Sequence, residues 1–166
     1  MRAFLAFVAR VERAGLWAAM ACLAALFLLG LAQIVWRTAT GGGLGFAVEY
    51  TGYLTGLSFS LGLGWALGQG GHIRVPLLID RLPERWAHRL DLAASLIGAA
   101  TAGIAALGLA AWSWTSAVDG ARSYFASQTL LAVPQFPFAA GVAILALSLT
   151  GRAVALAAGH DRTGAP

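Results

Sequence analysis

Apolar residues fall into four long blocks along this chain, over residues 14–36, 46–69, 92–118 and 136–158. Short polar or glycine-rich links separate them. Each block matches or exceeds the roughly 20 residues a helix needs to cross a hydrocarbon layer about 30 Å thick. Gln33 alone interrupts the first, Glu49 stands near the start of the second, the third carries no charge, and Arg152 lies near the end of the fourth. The pattern predicts an all-α integral membrane protein with four transmembrane helices, forming one membrane domain over residues 1–166. The first block follows Arg2, Arg10 and Arg13, as a signal peptide's core would. It is longer than the roughly 7–15 residues of such a core and lacks a clean small-x-small cleavage site, so it reads as a retained helix.

The link between the second and third blocks has a pattern of its own. From Gly71 to Leu90, Val75, Ile79 and Leu82 mark one apolar side, continued by Trp86 and Leu90. Asp80, Glu84 and His88 form one polar row, and Arg81, Arg85 and Arg89 another. Pro76 and Pro83 suit the first turns of two short helices, the second running on into the third span. The spacing predicts a cytoplasmic-side amphipathic segment over about 73–90 lying in the headgroup layer. Arg74, Arg81, Arg85 and Arg89 would face anionic lipid there, with Trp86 at the boundary.

Composition agrees with a membrane protein. The chain is 59% apolar and 11% charged, where a soluble domain carries about a quarter charged residues. That excludes a soluble globular domain, a disordered chain and collagen. The net charge of +4 comes from eleven Arg and no Lys, too sparse a set for a nucleic-acid-binding domain, so no nucleic-acid partner is expected. Their distribution orients the chain. Nine arginines fall before the first span, between the second and third, or at and after the end of the fourth, and only Arg37 and Arg122 fall on the other side. Positive residues stay inside, so both termini are expected in the cytoplasm, with Thr40–Gly45 and Asp119–Gln135 facing outward.

Candidate chemistry is thin. Cys22 is the single cysteine, and His72, His88 and His160 are scattered outside the spans. Neither a zinc-ligand spacing nor the facing histidines of a membrane haem is present. No phosphate-binding loop, zinc-protease motif or nucleophile triad stands out, and Asp119–Arg122 reads as a loop turn. The expectation is a non-enzyme without cofactors. Intramembrane polar residues are the remaining candidates. Glu49 reaches the outer interface, pairs with Arg37, or faces a partner, with an ion or proton site the least favoured reading. Arg152 suits headgroup contact, and Gln33 a hydrogen bond to a neighbouring helix. In the second span Gly52, Gly56, Ser60, Gly64 and Gly68 recur every four residues, a ridge that admits another helix at close range. That helix belongs either to this chain or to a partner. A weaker row, Gly98, Ala102, Ala106 and Ala110, lies on the third span.

Two stretches carry a family resemblance. Gly71-His72-Ile73-Arg74-Val75 followed by Leu82-Pro83-Glu84-Arg85, and Ser127 through Pro134 to Phe138 entering the fourth span, resemble the DctQ-like family. Its members are the small membrane subunits of tripartite ATP-independent periplasmic (TRAP) transporters. The chain departs from the family pattern at Pro76, where an acidic residue is frequent, and at Tyr50, where a second acid often follows the first. The resemblance implies a small permease subunit in the bacterial inner membrane. It would brace a large multi-span permease subunit for sodium-coupled uptake of an organic acid delivered by a periplasmic binding protein. It would hold no substrate site of its own and touch membrane lipids directly. Two other classes fit the composition: a stand-alone four-helix transporter acting as an oligomer, and a four-span scaffold protein of another membrane complex.

Overall fold

A computed structural model of the chain describes residues 1–69 and 83–159. Four α-helices are present among the described residues: α1 (Arg2–Thr40), α2 (Ala47–Gly68), α3 (Glu84–Val118) and α4 (Ala132–Ala157). At 1.5 Å per residue they measure about 58, 33, 52 and 39 Å. α1 starts twelve residues before its apolar block and α3 eight residues before its own, because the flanking stretches are helix-forming as well as polar. Gly41 ends α1 in a left-handed turn (φ 72°), its N–H donating to the Arg37 carbonyl at 2.9 Å. That conformation favours glycine because it carries no Cβ.

α1, α3 from Arg85 onward, and α4 are long and apolar enough to cross a membrane. α2 was expected as a further span and is long enough, but it falls short in apolarity. Eleven of its 22 residues are Gly, Tyr, Thr or Ser. The extended interfacial segment is described only in part. Residues 73–82, with Arg74 and Arg81, lie outside the described residues. Arg85, Trp86 and Arg89 are exposed on the first turns of α3, continuous with the rest of that helix, and the Arg89 guanidinium stands 5.4 Å over the Trp86 ring.

Contacts between glycines and their neighbours give the helix directions. Gly56 meets Phe138, and Gly64 meets Ile144 and Ser148, so α2 and α4 run parallel. Gly68 lies against Glu12 and Gly62 against Ala19, so α1 is antiparallel to α2; Gly98 meets Leu149 and Asp91 pairs with Arg152, so α3 is antiparallel to α4. α4 is central: it packs on α1, α2 and α3, and α2 also packs on α1.

The seams are built from small side chains. Ala102, Ala106, Ser95 and Ser113 on α3 are buried, as are Ala139, Gly141, Ser148, Gly151, Ala153 and Ala155 on α4. Many large apolar residues, among them Phe27, Val35, Phe59, Ile104, Leu107 and Trp114, face outward. That is the reverse of a soluble core. Lipid tails are as apolar as leucine, so helices in a bilayer gain by close van der Waals approach, which small residues permit. The seam serines satisfy their hydroxyls on their own helices: Ser95 donates to the Asp91 carbonyl (2.7 Å), Ser113 to Leu109 (2.7 Å) and Ser148 to Ile144 (2.9 Å). A polar group in a dry seam needs such a partner.

The tightest approach is at the middle of α2. A Cβ on Gly141 would lie 2.6 Å from the Ser60 carbonyl carbon and 2.8 Å from the Leu61 nitrogen. On the other side, a Cβ on Gly15 would lie 2.7 Å from the Leu61 oxygen. Gly52, by contrast, has no neighbouring atom within 4 Å of its Cβ position. Gly141→Ala is therefore expected to destabilise the fold by about 1–3 kcal/mol, because backbone atoms block the methyl group. Gly52→Ala is expected to stabilise it by up to about 1 kcal/mol through helix propensity. Thermal unfolding of the two variants in detergent checks the pair, and equal midpoints would contradict the packing.

Candidate functional site

The chain's polar chemistry gathers at the first turn of α2, under the connection between α3 and α4. That connection is a small hairpin. Asp119 and Ala121 donate to Thr115 and Ser116 as α3 ends, and Gly120 turns at φ 62°. Arg122 and Leu130 then pair as an antiparallel bridge, Ser123 N–H donates to Thr129 (2.9 Å), and Leu131 N–H returns to Ala121 (2.9 Å). At the tip Gln128 takes φ 49°, and its carbonyl accepts from Arg122 Nη1 at 3.0 Å. These bonds fix the positions of the Ser127 and Thr129 side chains.

Both point at Glu49. Ser127 Oγ donates to Glu49 Oε2, Tyr53 OH donates to Glu49 Oε1 at 2.7 Å, and Glu49 as a whole is 4% exposed. Thr129 Oγ1 stands 2.8 Å from Ser127 Oγ and 3.2 Å from Tyr50 OH, extending the chain of hydroxyls. Ser123 faces Glu49 and Tyr53 too, but its hydroxyl is buried without a hydrogen bond of normal geometry. Tyr50 lies edge-on between Phe46 and Tyr53, with ring centroids at 5.8 and 5.9 Å. The carboxylate is thus held by hydroxyls from α2 and the hairpin rather than by Arg37, and it is shielded from the surface. Charge-assisted bonds of this kind are stronger than neutral ones. Chemically the arrangement is a clasp: it fastens the hairpin to the head of α2.

The ridge residues divide among three surroundings. Gly56, Ser60 and Gly64 meet α4 of the same chain, Gly68 lies against Glu12 of α1, and Gly52 is open. Gln33 Oε1 accepts from the Leu44 N–H at 2.8 Å, so it ties the α1–α2 link rather than a neighbouring helix. Arg152 pairs with Asp91 of α3 at 3.4 Å, rather than reaching for headgroups.

With the helix order and the polar clasp in view, a comparison of the sequence with family models is decisive. The model described as "Tripartite ATP-independent periplasmic transporters, DctQ component" matches residues 26–162. The chain belongs to this family. No curated protein and no solved structure matches it. The DctQ family makes it a small permease subunit of a TRAP transporter, a membrane transport component and not a member of an enzyme family.

Two features of this DctQ-family chain have no local signature in the pattern of its apolar blocks. Glu12 of α1 is 7% exposed, with its Oε1 buried and without a hydrogen bond. Its signal was present, since Val8, Glu12, Gly15 and Ala19 share one helical face and are the buried residues of α1. The second is the set of hydroxyls around Glu49. Ser127 stands 78 residues away from Glu49, and no local pattern connects them.

Removing the carboxylate leaves Tyr53 and Ser127 without their shared acceptor. Glu49→Ala is expected to lower the unfolding midpoint, because both hydroxyls lose a charged acceptor. It should also speed amide exchange at Ser123 and Leu131, whose N–H groups hold the hairpin. Ser127→Ala and Glu49→Ala should be markedly non-additive in a double-mutant cycle, as expected for groups in one network. An unchanged unfolding midpoint together with unchanged exchange would remove the clasp from the account.

Proposed function

We propose that this DctQ-family chain is a passive brace: it holds the large multi-span permease subunit of its TRAP transporter in the bilayer and has no substrate site of its own. All four helices cross the bacterial inner membrane in this reading, with both termini in the cytoplasm, as the arginine distribution favours. α2 crosses because the middle of its glycine-rich surface, from Gly56 to Gly64, is covered by α1 and α4, so much of its lower apolarity is not presented to lipid. The first turns of α3, with Arg85, Trp86 and Arg89, stand in the cytoplasmic headgroup layer. The large subunit carries sodium-coupled uptake of an organic acid, delivered by a periplasmic binding protein.

The observation that carries this reading is where the charged side chains lie on the described helices. Glu49 is in the first turn of α2, Glu12 lies near the start of α1, and Asp91 and Arg152 pair across one end of α3 and α4. The long middles of the helices are lined with Ala, Gly, Ser and large apolar residues. A transporter that acts alone places substrate groups near the bilayer midplane, and a solute needs unoccupied polar partners there. Glu49, the carboxylate a small exporter would use, is buried and already bonded by two hydroxyls.

Reconstitution tests the division of labour. In proteoliposomes with an imposed sodium gradient, uptake of an organic acid is expected only when this chain, the large subunit and the binding protein are all present. Sodium-driven uptake by this chain alone would overturn the proposal.

A further inference from the structure

The hydroxyl cage around Glu49 holds more oxygen than its hydrogen bonds use. An ionised carboxylate offers about four acceptor sites, and Tyr53 and Ser127 fill only two of them. Glu49 is 4% exposed, yet no arginine among the described residues forms an ion pair with it. Buried charges are ordinarily paired or bound to a metal.

A second atom of the cage is also without a partner. Ser123 is 5% exposed, and its hydroxyl oxygen is buried with no hydrogen bond. The hairpin sets its direction. Ser123 and Thr129 stand opposite each other, one step beyond the Arg122–Leu130 bridge, with the Ser123 N–H on the Thr129 carbonyl. Residues directly opposite across such a pair project to the same face. Thr129 Oγ1 already belongs to the cage, 2.8 Å from Ser127 Oγ, so the Ser123 hydroxyl is aimed into it as well, toward Glu49 and Tyr53. Beside the cage lies an open pocket of about 490 Å³, lined by Gly45, Phe46, Tyr50, Ala126 and Ser127. Ser127 therefore borders both the pocket and the carboxylate, and a small ion entering the pocket meets a side chain that bonds Glu49.

The donor set selects the ligand. Every polar side-chain atom of the cage is an oxygen, which hard cations take, and the thiolate and imidazole groups that suit softer metals are absent from it. Its one carboxylate matches the charge of a monovalent ion. We propose that the Glu49 cage binds an alkali cation, held by the carboxylate together with the Ser123 and Ser127 hydroxyls. The ion is a fixed part of the clasp and not a transported solute, so the site stands independently of the brace reading.

Thermal unfolding of the purified full chain in detergent tests the site. The chain is unfolded in lithium, sodium or potassium chloride and in N-methylglucamine chloride at equal ionic strength. At least one alkali ion is expected to raise the midpoint saturably and to slow amide exchange at Ser123 and Leu131. Ser123→Ala separates the ion from the clasp. Its hydroxyl has no hydrogen bond to lose, so its midpoint in N-methylglucamine should equal that of the wild type. The alkali concentration giving half the stabilisation should rise about tenfold, as for the loss of one ligand bond. Glu49→Gln, which removes the charge and keeps an acceptor oxygen, should abolish the alkali response. Equal midpoints in every salt, or an alkali response that either substitution leaves unchanged, would overturn the site, and water would then fill the remaining acceptor positions.

Discussion

Two consecutive peptide units organise this molecule. In the middle of α2 the Ser60–Leu61 peptide lies against Gly141 of α4 and the Leu61 carbonyl against Gly15 of α1, each so close that a single added methyl group would overlap it. Helices inside lipid gain nothing from hiding apolar surface, so their association depends on such close approach. Around this point α4 runs parallel to α2 and α1 antiparallel to it. Ser60 (2% exposed) and Ser148 are enclosed, with their hydroxyls turned onto their own helices. α3 finds its place along α4, through Ser95, Ala102 and Ala106, with Gly98 against Leu149.

The same packing separates two roles that the ridge on α2 could play. Its middle members serve the chain's own fold, and Gly52 alone lies open at the clasp end. The Glu49 clasp fastens the hairpin to that same short stretch of α2, an arrangement that suits the bracing role proposed for this subunit.

Much of this architecture was legible in the sequence, and the parts that were not share a cause. The apolar blocks matched helix α2 to within a residue at each end and the end of α3 at Val118, because an unbroken apolar run without turn residues is a local property of the sequence. They underestimated α1 and α3 at their starts, since hydropathy reports the lipid-crossing stretch and the helix continues beyond it. Glycine spacing revealed the ridge on α2, but not the isolated Gly15 and Gly141 that press against it. A lone glycine acquires meaning only from the atom opposite. Glu49 was recognisable as unusual for its position, while its partners Ser127 and Thr129 were hidden by sequence distance. Glu12 fell outside the first apolar block and so escaped notice, although its helical face was readable.

α2 is held between α1 and α4 of its own chain, and its seam with α1 can be trapped covalently. A Cβ on Gly62 would lie 3.7 Å from that of Ala19, within the usual range for a disulfide. In a background with Cys22 replaced by serine, Ala19→Cys combined with Gly62→Cys should form an intrachain disulfide on mild oxidation in the membrane. Each single variant should remain uncrosslinked. Failure of the pair to form an intrachain bond, or crosslinks only between separate chains, would contradict the account.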